Sequence, residues 1–333
     1  MIRQIFPFTA ALALLGGSLS FAQSAKPPSQ IDRSTLHVQV VLDKLGFAPG
    51  PLDGKGGQSL RAALKGYQTS SGLKLTGEID TPTLRSLHRY RAWRPTVALR
   101  LDAASLAGPF FPQAGKDPAA QAKMPALGYR NVMESLAERF HTTPETLIAL
   151  NSPQTRLTPG TRIIVPNALR TSRDYESSDP KWRATLDSLN VSADVPKAAR
   201  VLIDESDGVL RVYDTSEKLV AQFPATMGSS ADPLPIGRWK VNGLSFNPDY
   251  SYDPKLIRGS GADAKKATLP PGPNSPVGVV WIDLSKPHYG IHGTPEPHLI
   301  GRTESNGCIR LSNWDAARLA LMVKPGTPVV MQR

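Results

Sequence analysis

The sequence predicts a multidomain chain: a small three-helix domain and a small α+β module precede a larger, mostly β domain, a β-sandwich with one main helix. Three observations predict it. Apolar residues recur at helical spacing over 34–92, a helix–helix–turn–strand order occupies 126–168, and short β-prone runs between turn residues fill 199–333. The 333 residues suffice for two or three domains, and 31 prolines with 27 glycines exclude long helical bundles and coiled coils.

The chain begins with an export pattern. Arg3 supplies a positive charge, Ile5 to Leu15 form an apolar run, and Ser20-Phe21-Ala22 offers a small-residue cleavage site, so residues 1–22 read as a secretory signal cut after Ala22. In 34–92, Val38, Val41, Leu42 and Leu45 share one helical face and Gly46 stops that helix. Ser59 is placed to cap a second helix carrying Leu60, Ala63, Leu64 and Tyr67, and Thr81-Pro82 to open a third. Residues 93–125, rich in Gly, Pro and Ala, read as a linker. In 126–168, Met133, Leu136, Ala137 and Phe140 mark one helix and Thr143-Pro144 opens another. Leu157-Thr-Pro-Gly-Thr161 then turns into a strand at Arg162 to Val165. A second linker spans 169–198, and strands follow at Val201 to Asp204, Val209 to Tyr213, Leu219 to Thr226, Arg238 to Val241, Val277 to Leu284 and Tyr289 to His292. Ser312-Asn313 can cap a helix from Trp314 to Val323, and Val329 to Met331 closes the sheet. Ser245 to Pro276 is a long Gly/Pro/Asp/Lys-rich excursion of the kind that often forms a functional lid.

Composition narrows the partners. With 39 Lys+Arg against 28 Asp+Glu the chain carries a formal charge of +11, which favours an acidic partner. The chain holds no compact Lys/Arg run of the sort that forms nucleic-acid arms, and an exported protein meets anionic cell-wall polymer first. No window past the N-terminus approaches the roughly 20 apolar residues of a membrane helix. Export also makes the single cysteine informative. In an oxidising compartment cysteines usually pair, so Cys308 is a buried inert thiol, an intermolecular partner or a nucleophile.

Its surroundings favour the nucleophile. Tyr289-Gly-Ile-His292-Gly293-Thr-Pro295 is followed by Ser305-Asn306-Gly307-Cys308-Ile309-Arg310. A thiol needs a base or a positive field to become a thiolate, and His292 can supply the base. Gly293 lets a main-chain carbonyl approach the imidazole, Gly307 lets backbone N–H groups point at a developing oxyanion, and Arg310 can hold a carboxylate or brace the loop. Trp281, Tyr289 and Trp314 are candidates for lining the cleft, with core packing as the plainer reading. A zinc site of His288, His292 and His298 is a further alternative, but Gly290 and Pro295 rule out the helix its spacing would want. His37, His88 and His141 read as surface residues of the helical modules.

These residues carry a resemblance. His292-Gly293 with Ser305-Asn306-Gly307-Cys308-Ile309-Arg310 resembles the L,D-transpeptidase (YkuD) signature, over about 130 residues. Leu269-Pro-Pro-Gly-Pro-Asn-Ser-Pro-Val-Gly278 and Asn313-Trp-Asp-Ala316 extend it. The resemblance implies Cys308 as nucleophile, His292 as general base and acid, and Gly293 as its backbone orienter, with Ser305, Gly307 and Arg310 around the thiol. Many members carry histidine where Asn306 stands; asparagine can hydrogen-bond there but cannot titrate. Leu45-Gly-Phe47, Asp53-Gly54, Leu64-Lys-Gly-Tyr-Gln68 and Thr81-Pro-Thr-Leu84 resemble a three-helix peptidoglycan-binding domain. Residues 126–168 resemble a LysM module, with its usual first strand and Gly-Asp-Thr-Leu entry replaced by Gly128-Tyr-Arg-Asn-Val132.

Taken together, the resemblances imply an exported enzyme of the Gram-negative periplasm that acts on peptidoglycan stems through a cysteine thioester, without cofactor or metal. It would release D-Ala and form 3→3 cross-links between diaminopimelate residues. The same thioester could pass to an outer-membrane lipoprotein lysine, a D-amino acid or water. From other classes, a non-catalytic wall-binding protein and a zinc amidase stay open.

Overall fold

The computed structural model describes residues 31–112, 115, 117–256, 265–305 and 307–333. The expected signal, 1–22, lies outside the described residues. Asp32 starts α1 (Arg33–Lys44) by accepting the N–H groups of Ser34 and Thr35. Gly46, at φ +89°, ends it in a conformation that suits glycine. Two caps differ from expectation. α2 (Gln58–Ser70) starts at Gly57 with no side-chain cap, although Ser59 was expected there, and α3 (Thr81–Leu87) is capped by Asp80 rather than Thr81. Asp80 prevails because its carboxylate reaches the Thr83 N–H while Pro82 occupies the first turn. Val41, Leu42, Leu60, Leu64, Tyr67 and Leu87 form the core of this domain.

The segment expected as a linker over 93–125 opens with a strand, β1 (Thr96–Arg100). Short helices α4 (Ala103–Leu106) and α5 (Pro118–Gln121) follow, then α6 (Val132–Arg139), α7 (Pro144–Leu150) and β2 (Arg162–Pro166). β1 pairs antiparallel with β2, Thr96 opposite Pro166 and Arg100 opposite Arg162. The module is therefore β–α–α–β, with its first strand far upstream of the helix pair. Val97 and Leu99 on β1 pack with Leu136, Phe140, Leu147, Ile163 and Val165, which is why this strand belongs to the module. The expected second linker likewise holds a helix, α8 (Pro180–Ser188), whose Trp182 and Leu186 are drawn into the core of the C-terminal domain.

That domain contributes β3 (Arg200–Asp204), β4 (Val209–Tyr213), β5 (Leu219–Pro224), β6 (Thr226–Met227) and the long β7 (Gly237–Phe246). It continues with β8 (Tyr250–Tyr252), β9 (Ala267–Leu269), β10 (Val280–Leu284), β11 (Gly290–His292), β12 (Ile309–Arg310), α9 (Asn313–Met322) and β13 (Pro328–Gln332). Among the described residues, nine strands form one sheet in the order β5-β4-β3-β13-β7-β10-β11-β12-β6, in place of the expected two-sheet sandwich. The reason is the length of β7. Its residues 237–240 pair with β13 and its residues 241–246 with β10, so one strand carries both wings. The wings and α9 share a single core that includes Ile203, Val212, Phe223, Ile282, Ile291, Ile309 and Leu319. The excursion after β7 contains the β8–β9 hairpin.

The domains dock through specific contacts. Phe47 bridges to Gln222 of β5, with Ala48 N donating to Gln222 O at 2.8 Å and Gln222 N to Gly46 O at 2.9 Å, so the three-helix domain covers the open edge of the sheet. Nearby, Asp43 of α1 accepts from His141 Nδ1 at 3.1 Å and from Arg318 Nη2 of α9 at 3.2 Å. His141 was expected at the surface. It is 1% exposed, points Nε2 at Leu189 O at 2.7 Å and stacks on Trp314 with ring centroids 5.1 Å apart. The docking of three domains buries it. His37 is half-buried and His88 exposed. No helix among the described residues is long and apolar enough to cross a membrane.

Candidate active site

β10 and β11 form a hairpin in which Trp281 faces His292, and β11 runs parallel to β12 with His292 beside Arg310. Cross-strand neighbours share a face, so Trp281, His292 and Arg310 stand in a row, with Cys308 next to them two residues before Arg310. The alternate residues Ile282, Ile291 and Ile309 point into the core and fix this register, since a one-residue slip would exchange the two sets. Trp281 stacks on His292 with centroids 5.5 Å apart and an interplanar angle of 17°. Gly290 makes room for the indole: a Cβ there would fall 2.4 Å from the Trp281 ring.

His292 is buried, and its Nδ1 donates to Gly293 O at 2.7 Å. With that proton committed to a carbonyl, Nε2 is the basic nitrogen. Burial lowers the imidazole pKa to about 4; the Gly293 contact opposes the shift and Arg310 adds to it. The Cys308 thiol, part-exposed, donates to His288 O at 3.8 Å. Burial pushes the thiol pKa above its ordinary value, while the Gly290 N–H and the Arg310 charge pull the other way. The resting side chains are thus a thiol and a neutral imidazole.

The loop before Cys308 is shaped by contacts at both ends. Ser305 donates through its hydroxyl to Cys308 O at 2.7 Å and through its N–H to Gly228 O at 2.9 Å. Gly307 adopts φ +96° and lies against Tyr289, where a Cβ would come within 2.6 Å of the ring, so both conformation and space demand glycine. Asn306 lies outside the described residues.

The structure thus gathers Cys308, His292, Gly293, Ser305, Gly307, Arg310, Tyr289 and Trp281. Trp314 does not join them. It is 1% exposed in α9, against His141, because the first turn of that helix is covered by the middle module. His298 is exposed in a turn, and among the described residues no group of three His, Cys, Asp or Glu is placed to hold a metal. One residue near the thiol escaped sequence reasoning. Tyr250 of the β8–β9 hairpin has its phenol pKa raised, chiefly by burial and next by the Cys308 charge. Nothing in the local pattern marked it, since only the fold-back of the excursion brings it there.

Comparison with known proteins matches two segments of the chain to known families. The L,D-transpeptidase catalytic domain (YkuD) matches residues 198–331 and the peptidoglycan binding domain matches 34–87. The L,D-transpeptidase YkuD of Bacillus licheniformis is 28% identical over 199 residues, covering 59% of this chain and 91% of that protein. An L,D-transpeptidase encoded in the ATP synthase subunits region of Fuscovulum blasticum is 46% identical over 107 residues, 32% of this chain and 55% of that protein. Among solved structures, an L,D-transpeptidase from Mycobacterium smegmatis aligns at 23% identity and a TM-score of 0.33, over 40% of this chain and 58% of that one. The chain thus carries a peptidoglycan-binding domain at 34–87 and a YkuD-type L,D-transpeptidase catalytic domain at 198–331.

Proposed function

We propose that the chain cross-links peptidoglycan by ping-pong acyl transfer through Cys308. The single observation that carries this reading is the His292 Nδ1 bond to Gly293 O at 2.7 Å, beside β12, which the lone cysteine immediately precedes. It leaves a neutral imidazole whose Nε2 can take the thiol proton. In the first half-reaction the Cys308 sulfur attacks the carbonyl at the L-centre of diaminopimelate in a tetrapeptide stem, and His292 accepts the S–H proton. The backbone N–H groups of the Gly307–Cys308 turn are placed to meet the oxyanion. The C–N bond then breaks, His292 returns the proton to the departing D-Ala amine, and a thioester remains.

In the second half-reaction the diaminopimelate amine of another stem attacks the thioester. His292 takes its proton and passes it to the leaving sulfur, which restores the thiol and yields a 3→3 cross-link. Arg310, in register with His292, is positioned to hold a stem carboxylate, and Trp281 and Tyr289 wall the cleft. The β–α–α–β topology of 96–166 supports a LysM-like role for the middle module, which together with the three-helix domain would keep the enzyme on its polymer. The function places the protein outside the cytoplasm, in the periplasm.

The test is intact mass of the full chain incubated with disaccharide-tetrapeptide. A gain equal to the stem minus D-Ala, with dimeric 3→3 product, and neither with Cys308→Ala, supports the reading; free tripeptide without dimer would make it a peptidase, and no adduct would overturn the thioester.

A further inference from the structure

Glu138 closes α6 of the middle module in the interior of the molecule, at 8% exposure, and no step above uses it. Its carboxyl accepts the Asn313 Nδ2 at 2.8 Å and also bonds the buried phenol of Tyr129. Asn313, the first residue of α9, donates from the same nitrogen to Pro273 O at 3.0 Å, and its Oδ1 accepts the Val279 N–H at 3.2 Å. That oxygen presses on two glycines: a Cβ on Gly278 would lie 1.9 Å from it, and one on Gly293 2.0 Å. Gly293 is the residue whose carbonyl holds His292 Nδ1.

A continuous line of contact therefore runs from the middle module to the imidazole. The two ends of an asparagine amide are nearly the same shape, so its partners decide which end faces where. Here the Glu138 carboxyl draws the nitrogen end and leaves the oxygen for Val279 and the two glycines. Without it only the Pro273 carbonyl holds the nitrogen end, and an amide that turned would set N–H against the Val279 N–H and displace the Gly293 backbone. The module also grips the strand-side foot of the excursion, with Leu127 N donating to Pro271 O at 2.9 Å and Asn274 Nδ2 to Gly128 O at 2.9 Å.

We propose that Glu138 is a positioning residue of the transpeptidase centre: by fixing the Asn313 amide it sets the Gly293 carbonyl that orients His292, so the middle module completes the catalytic domain. The proposal rests on His292 acting as the base, and it separates from that reading in the test. Full-length Glu138→Ala, Glu138→Gln and Glu138→Asp would be compared with wild type for D-Ala release from disaccharide-tetrapeptide, well below each variant's Tm. Glu138→Ala is expected to lose roughly 10–100-fold in kcat with KM within about 2-fold, the penalty of a misplaced base. Glu138→Gln keeps an acceptor of the same length and is expected to stay within about 3-fold. Glu138→Asp keeps the charge but falls one methylene short; it is expected to lose more than Gln, and it carries the test if the alanine variant does not fold.

A ¹⁵N NMR signal for the hydrogen-bonded His292 Nδ1–H should persist in wild type and Glu138→Gln and be lost in Glu138→Ala or Glu138→Asp. A kcat for Glu138→Ala within 2-fold of wild type, or Glu138→Gln as impaired as Glu138→Asp, overturns the inference. If wild type and Cys308→Ala are equally inert, the transpeptidase reading fails and the imidazole signal alone decides the role of Glu138.

Discussion

His292 and His141 are both interior histidines, and the protein treats them oppositely. His292 donates Nδ1 to a backbone carbonyl, has no carboxylate partner among the described residues and is held neutral by burial. His141 lies between the Asp43 carboxylate and the Leu189 carbonyl, so both its nitrogens face oxygen atoms from other segments of the chain. A carbonyl orients an imidazole without fixing its charge; the Asp43 carboxylate, bound by Arg318 as well, ties His141 into the junction between domains. What sits on the second nitrogen thus separates an imidazole proposed for chemistry from one that holds the assembly together.

Exchanging the two roles by mutation breaks the comparison most sharply. His292→Asn is expected to slow thioester formation by about 10³–10⁴-fold while the fold persists, as for loss of a base that works as a unit with its nucleophile. His141→Asn should leave activity per folded molecule within a few-fold and lower Tm instead; rapid acylation of His292→Asn, measured by intact mass, would contradict this assignment. Next in size, Asp43→Asn strands the buried Arg318 charge and weakens the contact to His141, and a denaturant midpoint should report a loss of about 3–5 kcal/mol. A loss under about 1 kcal/mol would mean the junction is replaceable.

The pH dependence of stability sharpens the comparison. The His292 pKa falls on folding from 6.5 to about 4, so its contribution is full above 6.5 and is lost as pH drops towards 4. Asp43, also lowered, loses its contribution only in more acid solution, below 3.8. The stability gap between wild type and His292→Asn should accordingly narrow by on the order of 2–3 kcal/mol between pH 7 and 4. A gap that stays flat would mean that folding leaves the His292 pKa unshifted, against its burial. The smallest effect concerns the thiol. Iodoacetamide should label Cys308 slowly near neutral pH and faster only above the ordinary thiol range near 8.5, because burial keeps the sulfur protonated. Fast labelling already at pH 6 would signal a pre-formed thiolate–imidazolium pair.

Much of this was legible locally. Helical spacing marked α1, α2, α6, α7 and α9, short β-prone runs between turns marked β3 to β5 and β10, and the motifs around His292 and Cys308 pointed to two residues that the fold brings onto neighbouring strands and the turn before them. β1 was missed because thirty-odd residues rich in Gly and Pro separate it from the helices it serves, and strand pairing is blind to sequence distance. α8 was missed because its Trp182 and Leu186 are buried by another domain's core. Trp314 looked available to a cleft and is packed on His141, while Tyr250 looked like part of a lid and lies by the thiol.

The sequence by itself supplied the candidate centre, Cys308, His292 and the glycines that flank them, since what those residues ask of their neighbours acts over a few bonds. Only the tertiary structure decided the assembly. The single bent sheet, the Asp43–His141–Arg318 junction and the line from Glu138 to His292 depend on burial and on partners brought from other domains, and desolvation is a property of the folded surroundings that no local pattern carries.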